Sequence, residues 1–221
     1  MTEFLISRGK NRVSAALFDL DGTLVDSLDV HIDSHFAVLA SVDAVSERNE
    51  VREAWFGANW NTDTLYQSFG ARLSIEPEQL VQAHVADMHE RYESHVFLPL
   101  PGANDLLDAF KKNEMTVAVV TSSSLALAEL ALQSSGLSGF VDVLVTRERT
   151  VRHKPDPEPY IYALQVLGIP SENAVGFEDS WDGLLAALDA GIFSFYLGAE
   201  PEPNTRSTSG YECIDSLAQL I

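Results

Sequence analysis

Four short stretches of this chain carry side chains able to do chemistry, and they follow or border apolar runs. Asp19-Leu20-Asp21-Gly22-Thr23 follows Ala15-Ala16-Leu17-Phe18, and Thr121 follows Val117-Ala118-Val119-Val120. Lys154 lies inside His153-Lys154-Pro155-Asp156-Pro157-Glu158-Pro159-Tyr160, and Glu178-Asp179 follows Ala174-Val175-Gly176-Phe177. A short apolar run bounded by a glycine-containing turn reads as a buried strand feeding a loop. Two carboxylates two residues apart at such a strand end cannot both be hidden without partners, because an unpaired buried charge is too costly. They either coordinate a cation or face a reactive cleft. An isolated Asp-X-Asp is often just a solvated pair before a turn. The three further groups, arriving in an order that completes a site, decide against that reading.

The elements that must position these groups alternate. Strand-like runs occur at 14–18, 116–121, 141–145, 173–177 and 192–197, with a weaker one near 211–214. Between them Leu106, Leu107 and Phe110 mark one helical face, and Leu127, Leu130 and Ala131 mark another before Gly136. Tyr160, Ile161, Leu164 and Leu167 mark a third, which stops at Gly168. Strands alternating with helices predict a parallel sheet in a doubly wound α/β core. Ligands on such sheets bind beyond the carboxyl ends of the strands, where all four motifs sit. From about residue 28 to 97 the alternation is interrupted by helical patterns alone. There Ile32, Phe36 and Leu39 share one face, and Val81, Val85, Met88 and Tyr92 another. These are ordinary core stripes. Residues 1–12 read as a poorly ordered lead-in and 200–210 as a surface loop.

The 221 residues allow one domain or a core with a smaller insert, and a hydrophobic fraction of 46% argues for a globular chain. No apolar run approaches the ~20 residues that span a bilayer, and Phe4-Leu5-Ile6 is too short for a signal-peptide core. The single cysteine, Cys213, rules out an internal disulfide and fits a reducing cytoplasm. A net charge of −19 argues against nucleic acid or anionic membranes as partners. It also means that positive charge for any anionic substrate must be built in locally, from a divalent metal, Lys154 and backbone N–H groups at helix starts.

The constellation resembles the haloacid dehalogenase superfamily of phosphotransferases, and within it the branch of β-phosphoglucomutase and small sugar or polyol phosphate phosphatases. Asp-Leu-Asp-Gly-Thr-Leu-Val-Asp-Ser, Lys-Pro-Asp-Pro-Glu-Pro-Tyr and Phe-Glu-Asp-Ser-Trp-Asp-Gly-Leu-Leu-Ala-Ala carry the likeness, which covers roughly residues 13–221. It implies a catalytic core of residues 13–27 and 98–221 with a helical cap at 28–97. Asp19 then matches the nucleophile and Asp21 the general acid/base. Mg²⁺ would be held by Asp19, the backbone carbonyl of Asp21 and Asp179, with Glu178 direct or through water. Lys154 would neutralise Asp19 and the phosphoryl oxygens, while Thr121 and the N–H of Ser122 bond those oxygens. Ser123 and Ser124 are candidates for the same work or for capping the next helix. His31 occupies a hinge position used near the acid/base. Trp60 and Asn61 lie in the cap segment that usually faces substrate. His153 replaces a glycine common before the family lysine.

The resemblance also separates reactions. A dehalogenase lacks the second aspartate, and a phosphonatase needs a cap lysine, whereas the four lysines here are Lys10, Lys111, Lys112 and Lys154. A mutase must grip a second phosphate from the cap, yet Gly57-Ala58-Asn59-Trp60-Asn61 lacks the expected arginine; Arg52 or Arg72 would have to substitute. The expectation is a monomeric, Mg²⁺-dependent phosphatase of a small phosphorylated metabolite. A phosphoglucomutase-type enzyme is the alternative, and a metabolite-binding pseudo-phosphatase the non-enzymatic one.

Overall fold

The structure is a computed structural model that describes residues 7–8, 11–58, 61–198 and 210–221. Trp60, and the loop expected at 200–210 apart from Gly210, lie outside the described residues. The chain divides into two compact units, Met1–Asp26 with Phe97–Ile221 and Ser27–Val96.

In the first unit, strands β3 (Ala15–Phe18), β4 (Thr116–Val120), β5 (Val143–Val145), β6 (Ala174–Glu178), β7 (Phe193–Leu197) and β8 (Tyr211–Ile214) form a six-stranded sheet. Its order is β5-β4-β3-β6-β7-β8 and every pairing is parallel. The order therefore reverses at β3, with earlier-added strands on one side and later ones on the other. The central strands β3, β4 and β6 were marked in the sequence by apolar runs, because a strand buried on both faces has no polar positions to alternate, whereas the edge strand β8, with Glu212 exposed, left a weaker trace.

Both faces are covered. On one, Phe18, Phe177 and Phe195 are register partners on neighbouring strands. Phe18 and Phe177 stack with centroids 4.3 Å apart, and Phe110 of helix α5 (Ala103–Lys112) leans on both at 6.1 Å. On the other, Leu17, Val120 and Val145 pack with Tyr160 and Ala163 of α7 (Glu158–Leu167) and with Ala186 and Ala187 of α8 (Trp181–Asp189). Helix α6 (Leu125–Ser134) follows β4, and α7 stops at Gly168 as its pattern predicts. The chain leaves and re-enters this unit along a pinned neck. The Asp26 N–H donates to the Leu98 carbonyl at 3.0 Å, the Leu100 N–H donates to the Leu24 carbonyl at 2.9 Å, and Val25 bridges Pro99 antiparallel. Part of the lead-in expected to be unstructured forms a short antiparallel ladder between β1 (Ser7–Arg8) and β2 (Asn11–Arg12).

The second unit is helical: α1 (Leu28–Ser41), α2 (Arg48–Gly57), α3 (Thr62–Leu73) and α4 (Pro77–Ser94) enclose a core that includes Ile32, Leu39, Val51, Trp55, Leu65 and Leu80. The face predicted for α4 is corrected by one register. Its buried residues are Leu80, His84, Met88 and Tyr92, and Val85 is 52% exposed. His84 takes the inward position because its Nδ1 hydrogen-bonds the buried Ser34 Oγ at 2.9 Å, so a polar residue that pattern reading assigns to solvent is satisfied inside. Beside it His35 stacks on His84 at 4.1 Å and bonds Tyr66 Oη through Nδ1 at 2.8 Å. No helix among the described residues is long and apolar enough to cross a membrane.

Candidate active site

β3 lies at the reversal of strand order, and the first candidate follows it directly. The Asp19 N–H donates to the Phe177 carbonyl at 2.9 Å, extending the β3–β6 ladder by one residue, and its buried side chain stands at the sheet's carboxyl end. A tight turn comes next. The Leu20 carbonyl accepts from the N–H groups of Thr23, Leu24 and Val25, and Gly22, at φ +81°, supplies a conformation that side-chain-bearing residues rarely adopt. This turn brings Thr23 Oγ1 to Asp179 Oδ1 at 3.1 Å, from a residue 156 positions away.

Lys154 unites the centre. Its Nζ donates to Asp19 Oδ1 at 2.6 Å, Glu178 Oε1 at 2.6 Å and the Val120 carbonyl at 2.8 Å. An ammonium has three N–H donors, and all three are used. Burial alone would push the lysine down, but Asp19 and Glu178 more than offset it and hold the ammonium above the ordinary lysine range. The carboxylates strain the other way. Burial lifts Asp19 well above the ordinary carboxylate range; Lys154 pulls it back, while Glu178, Asp179 and Asp21 add to the rise. Asp179 is pushed up to about 7 by burial and by Glu178, against the pull of Thr23 and Lys154.

Asp19, Glu178 and Asp179 each offer an oxygen within 4.8 Å of the others'. Three crowded carboxylates facing one ammonium leave an excess of negative charge in a buried place. An all-oxygen donor set with that excess fits a hard divalent cation such as Mg²⁺, which prefers carboxylates and retained waters. It does not suit zinc, which favours nitrogen and sulfur ligands.

Asp21 is turned elsewhere: its Oδ2 accepts the Ser123 hydroxyl at 2.6 Å. Thr121 is buried just past β4, and its Oγ1 accepts the Ser123 N–H at 3.0 Å. Ser122 is exposed beside it. The two following serines thus diverge: Ser124 caps α6, with its side chain accepting from the Leu127 N–H, and Ser123 serves Asp21. His31 and Asn61 belong to the helical unit. His31 Nε2 lies 3.0 Å from Tyr92 Oη and its ring stacks on Trp55, while Asn61 caps α3 by accepting the Thr64 N–H at 2.8 Å. Sequence reading passed over Tyr160 and Gly183 as site residues, although both border Glu178. Tyr160 Oη reaches Glu178 Oε1 at 2.5 Å. Its place inside the Lys-Pro-Asp-Pro-Glu-Pro-Tyr motif, in the first turn of α7, was the available signal.

The sequence profile of the haloacid dehalogenase-like hydrolases matches residues 16–197, from β3 to the end of β7. The chain belongs to this family. Among curated members of the family, hexitol phosphatase A of Escherichia coli is 33% identical over 210 residues, covering 95% of this chain and 94% of its own. Validoxylamine A 7'-phosphate phosphatase of Streptomyces hygroscopicus is 32% identical, covering 80% and 82%. The crystal structure of CbbY from Rhodobacter sphaeroides in complex with phosphate superposes with a TM-score of 0.77 at 24% identity, over 94% of this chain and 96% of that one. That likeness shows a shared fold.

Proposed function

We propose that this protein is a Mg²⁺-dependent phosphomonoesterase acting on a small phosphorylated sugar or polyol through an aspartyl-phosphate intermediate. One observation carries the reading: Lys154 Nζ ties Asp19 to Glu178 at 2.6 Å in a buried acidic centre at the sheet's point of reversal. A phosphatase relative aligned along nearly the whole chain points the same way.

In this mechanism a carboxylate oxygen of Asp19 attacks phosphorus in line, forming the acyl phosphate as the bond to the leaving alkoxide breaks. Asp21, protonated, gives its proton to that alkoxide; the ionised Asp21 then takes a proton from the water that cleaves the intermediate. Ser123 donates its hydroxyl to Asp21 Oδ2 and so helps to orient that carboxyl for the transfer. Lys154 balances charge on Asp19 and the phosphoryl oxygens, and Thr121 with the Ser122 N–H binds those oxygens. Asp19, Asp179, the Asp21 carbonyl and Glu178 would hold Mg²⁺, which when bound neutralises charge developing on the transferring group. The chemistry belongs to residues 13–27 and 98–221, and residues 28–97 form a cap whose contacts, with His31, Trp60 and Asn61 as candidates, select the leaving group.

Hydrolysis is preferred to mutase chemistry because cations for a second phosphate are scarce in the helical unit. It contains no lysine in sequence, and of its four arginines Arg48 is paired with Asp29 and Asp33 and Arg91 with Asp87, so a mutase would have to rely on Arg52 or Arg72. The test is a Mg²⁺-supplemented screen of phosphorylated sugars and polyols ranked by kcat/KM. We expect inorganic phosphate to appear in step with substrate loss, with hexitol phosphates among the better substrates. With β-glucose 1-phosphate and a trace of the 1,6-bisphosphate, formation of glucose 6-phosphate without phosphate release would overturn hydrolysis in favour of the mutase.

A further inference from the structure

Glu178 is fully buried at the end of β6, and two neighbours not assigned a role in the sequence shape its seat. Tyr160, also at zero exposure, donates its phenol O–H to Oε1, the same oxygen that accepts Lys154. The tyrosine ring itself lies 5.3 Å from Lys154 Nζ. Gly183, in the first turn of α8, leaves open the volume the carboxylate fills: a Cβ there would collide with the carboxyl carbon and both oxygens of Glu178. Ser180 Oγ donates to Oε2 at 3.3 Å, so each oxygen has a donor and the group has one orientation.

We propose that Tyr160 and Gly183 are positioning residues that lock the Glu178 carboxylate, and through it set where Lys154 can go. The inference rests on the phosphatase reading above. Every N–H of Lys154 is already engaged, so a phosphoryl oxygen is bound only if the ammonium releases one acceptor. Release from Glu178 would strand a buried carboxylate oxygen unless another donor remained. The Tyr160 hydroxyl is that donor. It keeps Oε1 satisfied while Lys154 turns to substrate, and it makes the exchange reversible. Gly183 supports the same state by keeping the carboxylate from being displaced.

The test uses Tyr160→Phe, Gly183→Ala and the double variant in the full chain. Hydrolysis of p-nitrophenyl phosphate at saturating Mg²⁺ gives kcat and KM separately, thermal melting reports the fold, and Mn²⁺ binding is titrated calorimetrically without substrate. Phenylalanine preserves the ring packing, so Tyr160→Phe should melt near the wild type while kcat/KM falls about 10–100-fold, the loss of one charge-assisted hydrogen bond. Gly183→Ala should fall at least as far and bind Mn²⁺ more weakly, although alanine favours helix over glycine. The double variant should be no worse than Gly183→Ala, since both act through one carboxylate. A purely structural role would lower the melting temperature and leave kcat/KM within twofold of wild type, overturning the proposal; so would losses that multiply in the double variant. If the wild type releases no phosphate from any ester, the phosphatase reading fails. The Mn²⁺ titration then still decides this inference, and Gly183→Ala binding as tightly as wild type sinks it.

Discussion

Around Lys154, charge is the quantity that single substitutions change. If Asp19, Glu178 and Asp179 hold Mg²⁺, excess chelator should abolish phosphate release and added Mg²⁺ restore it. Ca²⁺ should inhibit, because its larger, looser shell spoils the in-line geometry; full turnover in chelator would remove the metal from the mechanism. Asp19→Asn should eliminate the acyl phosphate and essentially all turnover with the fold intact. Asp21→Asn should slow the reaction by roughly 10²–10⁴-fold, the usual contribution of a positioned acid or base. Since the two act as a unit, the losses should not add when the double variant is assayed. Asp19, Thr121, Lys154 and Glu178 were legible in the sequence because each follows or borders a recognisable run. The Ser123–Asp21 bond joins residues 102 positions apart, and the Tyr160–Glu178 bond appears only when α7 packs on the sheet. Neither leaves a periodic trace.

At the scale of elements, the central strands were legible because their burial on two faces leaves short apolar runs, and the helices because leucines recur at turns. What failed was register and weak pairing. His84 occupies a core position that its polarity disguises, displacing Val85 to solvent, and the β1–β2 ladder rests on polar residues with no pattern to announce it. Helix starts give a sharp test of the serine pair after Thr121. Ser124→Ala removes the cap of α6 and should cost about 0.5–2 kcal/mol of stability with kcat/KM unchanged. Ser123→Ala should do the reverse, lowering kcat while the denaturation midpoint stays put. Asn61→Asp keeps an acceptor for the Thr64 N–H, so a large change in KM for that variant would add substrate contact to the capping role of Asn61.

For the molecule as a whole, the buried histidines set an acid limit. Burial, with His31 and Arg91 adding to it and Asp87 opposing, brings His84 from 6.5 down to about 3. His35 is also held well below its ordinary range by burial, His84 and His31. Below about pH 6.5 the unfolded chain takes up protons that the folded chain refuses. The stabilisation is therefore complete above that pH and is lost progressively as pH falls toward 3, at roughly 1.4 kcal/mol per pH unit for each histidine. Asp19 and Asp179, held high chiefly by burial, titrate with the opposite sign over the same range, so the test is a comparison: between pH 4.5 and 7 the denaturant midpoint of the wild type should fall more on acidification than that of His84→Gln, by about one proton's worth of slope. Parallel slopes for the two proteins would contradict this account.

The neck at Leu24–Asp26 and Leu98–Leu100 has a consequence for how such a protein changes over time. Two main-chain hydrogen bonds, the pair that makes the Val25–Pro99 bridge, clasp the outgoing and returning chain together. Closure at that point is paid for by the sheet's own margin, so the ends stay a hairpin's width apart whatever length of chain hangs from them. Insertions cost little entropy beyond such a closed point, since the penalty grows only with the logarithm of loop length. The helical unit is thus an exchangeable cassette on a fixed clasp: lineages can lengthen it, trim it or swap it while β3, and the aspartate that follows it, stay where they are.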